Sequence, residues 1–209
     1  MRFFLLSMEL ITNPKVVIKK TANRKYISYK STFSHQGELL KVNAKKSGLY
    51  TALLRKIIEQ LDCCLDLYKR VLLIRFDLHQ ERYTKNNERM TKFKKRLFKR
   101  LQNIYETNAI GYVWVREHEK SKAQHYHWAI WIDGDKVRHS KKVLPIIKSI
   151  WDDMSGYSPM VKNPYYFIDN SEQRAEAIYR LSYLAKARGK TARPDQTKDY
   201  STSRIININ

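Results

Sequence analysis

Cysteine is nearly absent from this sequence, acidic residues are scarce, and no apolar run is long enough to span a membrane. The two cysteines, Cys63 and Cys64, are adjacent. Neighbours rarely bridge each other without strain. Both fall inside an apolar helical pattern, so they read as reduced core residues of a cytoplasmic protein. The opening Met1-Arg2-Phe3-Phe4-Leu5-Leu6 meets Glu9 too soon to read as a signal segment. No GxxxxGK[ST] phosphate loop occurs, which excludes a built-in helicase motor. No repeat or low-complexity tract is visible.

Asp and Glu number 20 against 41 Lys and Arg, a formal charge of +21 on 209 residues. Solubilising surfaces mix the two signs and carry a much smaller net charge. An excess this large points to a polyanion, and nucleic acid is the expected partner. A hydrophobic content of 43% supports a packed core and argues against global disorder.

Residues 1–45 read as an N-terminal accessory arm, with short strands expected at Val16-Val17-Ile18 and Tyr26-Ile27-Ser28-Tyr29. Residues 46–209 read as the main domain. Leu53, Leu54, Ile57, Ile58, Leu61 and Leu65 recur at helical spacing. The run 71–78 is a buried strand. Met90, Phe93, Leu97, Leu101 and Ile104 mark a second helix, whose opposite face carries Lys92, Lys94, Lys95, Arg96, Lys99 and Arg100. That face fits either a solvated surface or a row of phosphate contacts. Strands follow at 111–117 and 125–132, joined as a hairpin through polar residues 118–123, with Asp133-Gly134-Asp135 as a turn. A helix over 142–154, a short strand at 165–168 and a last helix over 171–188, with caps at Asp169–Glu172 and a stop at Gly189, complete the pattern. The polar tail from Lys190 is expected to loop back over the domain. A hairpin between the central strands predicts an α+β fold, a central antiparallel sheet flanked by helices.

His125 and His127 are two apart on a strand, so both imidazoles leave one face, roughly 6–7 Å apart at the backbone. They are able to converge on one metal ion, although the same pattern fits two histidines packed in a sheet. Glu117 ends the preceding strand, and a short hairpin returns its carboxylate beside them; Glu119 is the alternative if the turn is tighter. Two histidines and a carboxylate leave open positions for water and phosphate and suit Mn²⁺ or Mg²⁺. Zinc is disfavoured, because no Cys-rich or third-His pattern accompanies the pair. On the last helix Tyr179, Tyr183 and Lys186 fall at i, i+4 and i+7, on one face. A tyrosine with a lysine one turn away is a candidate activated nucleophile. The same stripe fits a helix packing aromatics on a sheet. A histidine-triad nucleotide hydrolase needs a further histidine two positions on, and Ala129 stands there.

The combination of a basic chain, His125-Tyr126-His127 on a strand and Tyr183-Leu184-Ala185-Lys186 on a later helix resembles the HUH endonuclease superfamily. Arg75-Phe76-Asp77-Leu78-His79 looks like that superfamily's upstream strand motif. Val115-Arg116-Glu117, the run Tyr179–Ala187 and the late Thr202-Ser203-Arg204 sharpen the likeness, over about residues 65–205. They resemble the filamentous-phage gene II-type replication initiators and the YagK/YfjJ C-terminal domain family. Ser201 departs from the glycine expected before Thr-Ser-Arg.

The resemblance implies rolling-circle initiation. His125, His127 and Glu117 would hold the metal. Tyr183 would attack DNA, keep the 5′ end as a phosphotyrosine and release a 3′-hydroxyl, with Lys186 beside it and Tyr179 as a second nucleophile. Lys92, Lys95, Lys99, Arg100, Arg180 and Arg188 are the candidate DNA contacts. The implied partners are single-stranded or locally melted origin DNA and a host helicase and polymerase. A transposase or relaxase of the same superfamily, or a regulator that binds DNA without cutting it, are the alternatives.

Overall fold

A computed structural model describes residues 18–20, 26–107, 109–118, 123–190 and 194–206. Val16, Val17, the opening Met1–Leu6 and Glu119 lie outside the described residues. In chain order the elements are β1 (Ile18–Lys20), β2 (Tyr26–Ser28), β3 (Thr32–His35), β4 (Glu38–Lys41), β5 (Leu49–Tyr50), α1 (Thr51–Tyr68), β6 (Val71–Gln80), α2 (Glu88–Tyr105), β7 (Gly111–Glu117) and β8 (His125–Asp133). There follow α3 (Val143–Asp152), β9 (Gly156–Tyr157), β10 (Tyr165–Ile168), α4 (Ser171–Leu181), a 3₁₀ turn (Ser182–Ala185) and β11 (Tyr200–Thr202).

The fold is α+β, as the hairpin pattern predicts. Among the described residues the main sheet is six-stranded and antiparallel, in the order β10-β6-β8-β7-β11, with the short β9 also on β6. Strand alternation decides what each face carries. On β8, Tyr126, Trp128 and Ile130 point one way, and Trp128 stacks on Phe76 at 5.8 Å and meets Phe93 of α2 edge-on at 5.5 Å. The α2–α3 layer therefore covers that face. The other face carries His125, His127, Ala129 and Trp131, and α1 lies over its Trp131 end. A Cβ added to Gly111 would stand 2.6 Å from Cys64 Sγ and 3.1 Å from the Trp131 ring, so β7 and α1 meet there closely. Trp114, Trp128 and Trp131 are all buried.

Residues ahead of α1 join this core as well. Ile27, Phe33, Leu40, Val42 and Ala44 are buried in the same cluster, and β2 pairs with β5. A β3–β4 hairpin turns at Gln36-Gly37, both with positive φ. Arg174 of α4 donates to Asp62 of α1 at 2.7 Å and to Glu38 of β4 at 2.8 Å.

The last helix departs from expectation. It starts where the caps place it: Asn170 Oδ1 accepts from the Gln173 N–H at 3.0 Å, and Gln173 Oε1 accepts from the Asp169 N–H at 2.9 Å. It does not run to 188. The α-helix ends at Leu181, tightens to 3₁₀ over 182–185, and leaves Lys186 extended at φ −56°, ψ 139°. Ser182 is the physical cause. Its hydroxyl donates to Tyr179 O at 2.6 Å and accepts from the Asn43 N–H at 2.8 Å. A serine bonded back to its own turn and tied to another segment competes with continued α-helix.

Candidate metal centre and its tyrosine

The site sits on the open part of the histidine face. Antiparallel register places Glu117 directly opposite His125 and Val115 opposite His127 across β7–β8. On the other side, Asp77 and His79 of β6 stand opposite His127 and His125. Alternation sends Glu117, His125, His127, Asp77, His79 and Arg75 to one face.

One ligand atom from each of Glu117, His125 and His127 lies within 4.8 Å of the other two. Glu117 Oε2 is 3.3 Å from His127 Nε2 and 4.0 Å from His125 Nε2. Ligands about 2.0–2.2 Å from a common ion stand about 3–4 Å apart, so slight closure brings all three to one centre. The surroundings fit a metal too. His127 Nδ1 is hydrogen-bonded to Asp77 Oδ1 at 2.6 Å, which fixes the ring and leaves Nε2 facing the cluster. A carboxylate behind a histidine is the usual outer partner of a ligating imidazole. Lys190 Nζ donates to Glu117 Oε1 at 2.6 Å, leaving Oε2 for the histidines.

Electrostatics act differently on the three donors. Burial pushes the Glu117 carboxyl up, but the His127 hydrogen bond and the Lys190 charge outweigh it and hold it down at about 2. Burial, with the charges of His127 and His79, lowers His125 to about 4, so its ring is neutral at physiological pH and free to ligate. Burial also disfavours charge on His127, but the hydrogen bonds it gives to Asp77 and Glu117 prevail and raise its pKa, so a metal ion has to displace its proton.

Tyr183, carried by the 3₁₀ turn, stands against this group. Its ring meets His127 edge-on at 5.8 Å. The Arg75 guanidinium is 5.0 Å from the ring centroid, and Arg188 donates to the hydroxyl at 2.9 Å. Lys186 also touches Tyr183, its ammonium 5.2 Å from the ring centroid, but not from the shared helix face expected of it. Its hydrogen bond goes to Lys45 O at 2.9 Å. The cation on the phenol oxygen is thus Arg188, singled out in the sequence only as a DNA contact. Tyr179 lies instead beneath the Lys41 ammonium, 5.8 Å from its ring centroid. Lys92, Lys95, Lys99 and Arg100 are exposed on α2, and Arg180 donates to Lys162 O at 2.7 Å.

Sequence reasoning passed over Asp77 and Lys190 as site residues. For Asp77 the signal is the alternation of Arg75, Asp77 and His79 in a strand. For Lys190 there is none, because only the fold brings it to Glu117.

Fold and site together define an α+β protein with a two-histidine, one-carboxylate group on an antiparallel sheet and a tyrosine beside it. The model of the YagK/YfjJ C-terminal domain matches residues 32–201, and the chain belongs to that family. No curated protein and no solved structure matches the chain. Among the described residues no helix is long and apolar enough to cross a membrane.

Proposed function

We propose that this chain is a divalent-metal-dependent DNA-nicking and strand-transfer enzyme of the HUH endonuclease type, acting as a rolling-circle replication initiator. The observation that carries the reading is the placement of Tyr183, with its ring on His127 and its hydroxyl under the Arg188 guanidinium. A structural tyrosine needs neither a metal-competent group nor a cation on its oxygen.

Glu117, His125 and His127 would hold Mn²⁺ or Mg²⁺, whose chemistry there is Lewis-acid polarisation of a phosphoryl oxygen. Tyr183 Oη attacks the scissile phosphorus and gives up its proton. The bond from phosphorus to the 3′ oxygen breaks, and that oxygen leaves as a protonated 3′-hydroxyl. The 5′ side stays on Tyr183 as a phosphodiester. One phosphodiester replaces another, so no nucleotide is consumed and the step reverses. Arg188 and Arg75 oppose the negative charge that builds on the tyrosine and the phosphate. The freed 3′-hydroxyl serves a host polymerase, and strand separation falls to a host helicase or to supercoiling.

The test is incubation with single-stranded origin-region DNA and Mn²⁺, followed by denaturing electrophoresis and peptide mapping. A nucleotide adduct on Tyr183 is expected, lost in Tyr183→Phe and on chelation. Tyr179→Phe should still form it. An adduct on Tyr179 and never on Tyr183 would reverse the assignment, and no adduct on either tyrosine would sink the mechanism.

A further inference from the structure

The rings of the site continue past the metal ligands. Tyr183 meets His127 at 5.8 Å, His127 meets His125 at 4.9 Å, and His125 stacks on His79 at 5.0 Å. His79 in turn meets Tyr157 at 4.9 Å. The five rings form one continuous series across the sheet face. The nucleophile stands at one end and Tyr157 at the other.

Tyr157 is 54% exposed, whereas His127 further along the series is buried. Its mount is built with care. Strand β9 pairs with His79 and Gln80. Trp151, fully buried, donates from its indole nitrogen to His79 O at 2.8 Å. Gly156 lies so close to that indole that a Cβ would come within 2.2 Å of the nitrogen. Ser158 donates to Asp77 O at 2.8 Å on the far side of Tyr157. The Tyr157 hydroxyl and His79 Nδ1 are hydrogen-bonded at 3.0 Å, which fixes the tilt of the ring. Anchors on both sides thus hold an open ring at a set distance from the metal group.

We infer that Tyr157 is the stacking platform for a nucleobase of the bound single strand, next to the phosphate that the Glu117–His125–His127 group receives. This deepens the DNA reading and rests on it. An exposed ring held rigidly in a basic protein is the device by which single-strand binders take any base, because every base has a π face. Burying it against a base removes the exposed apolar surface that the fold leaves there. The platform acts in positioning: it holds the chain so that the neighbouring phosphate stays over the metal group, in line with Tyr183.

The test uses two probes, a fifteen-residue oligothymidylate and a fifteen-residue abasic strand with the same phosphates, with binding measured by fluorescence anisotropy in Mn²⁺. Tyr157→Leu should weaken oligothymidylate binding by roughly an order of magnitude, the range of one lost base–aromatic stack. It should leave abasic-strand binding unchanged. Tyr157→Phe keeps the ring and should bind as the unsubstituted protein does, which separates stacking from the hydrogen bond to His79. Calorimetric Mn²⁺ affinity should be the same in all three. Equal losses on both strands, or no loss on either, overturn the platform and leave the DNA reading standing. Failure of the unsubstituted protein to bind oligothymidylate overturns both.

Discussion

Glu117 illustrates how much a single side chain is asked to do. One oxygen answers Lys190 and the other faces the two histidines. Its carboxyl is brought from 4.5 to about 2. A depressed carboxyl stabilises the fold above its unfolded pKa and loses that contribution as pH falls toward the folded value. In metal-free protein Glu117→Gln should therefore cost about 3 kcal/mol near pH 6, in keeping with a broken buried ion pair. The cost should shrink to about 1 kcal/mol near pH 3. Urea denaturation at both pH values measures it, and a difference that does not change with pH would refute the assignment. Asp77 acts one step back. Asp77→Asn removes no ligand but loosens the ring of His127, so Mn²⁺ affinity by calorimetry should fall 10- to 100-fold. Unchanged affinity would mean that Asp77 serves the sheet and not the metal.

At the scale of elements, the hairpin was the most legible part of the sequence. Period-two alternation put His125 and His127 on one face, and a short return put Glu117 beside them; the register pairs Glu117 with His125 directly. The end of the last helix was not legible, because spacing alone continues a helix to Gly189. What stops it is a hydrogen bond from Asn43, 139 residues away, to Ser182. For the same reason Lys190 and Tyr157 escaped notice, since both reach the site through pairings distant in sequence. The two-residue β9 and the three-residue β11 carry too little pattern to stand out. A further test belongs to β7. Gly111 begins that strand under Cys64 and Trp131, with no room for a methyl. Gly111→Ala should lower stability by about 1–3 kcal/mol, as overpacking does. Adding Cys64→Ala should return part of the loss, by the logic of a double-mutant cycle. Additive losses would place the strain elsewhere. Cys64 itself is pushed up to about 12 by burial, so a thiol reagent near pH 8 should leave it unmodified until the protein unfolds.

At the scale of the molecule, charge dominates. A net +21 was plain from composition, and the structure leaves α2 with an exposed face of Lys92, Lys95, Lys99 and Arg100. If the partner is single-stranded DNA, log affinity should fall with log salt by about 0.7 per phosphate neutralised. Titrations between low and physiological salt measure the slope. Replacing Lys95 and Lys99 together by Ala should flatten it by about 1.4 if both contact phosphate. A slope near zero in the unsubstituted protein would exclude nucleic acid as the principal partner.

The edge strand β11 and Lys190 have a consequence for a chain still leaving the ribosome. Synthesis runs at about 5–20 residues per second, and His125 and His127 exist well before residue 190 is made. During that interval Glu117 has no ammonium to share its charge with, and β7 presents an open row of backbone groups. Neither defect closes until Lys190 and then Tyr200–Thr202 emerge. Residues 190–202 therefore act as the latch on the sheet, closing the β7 edge and answering the Glu117 charge in one stretch of chain.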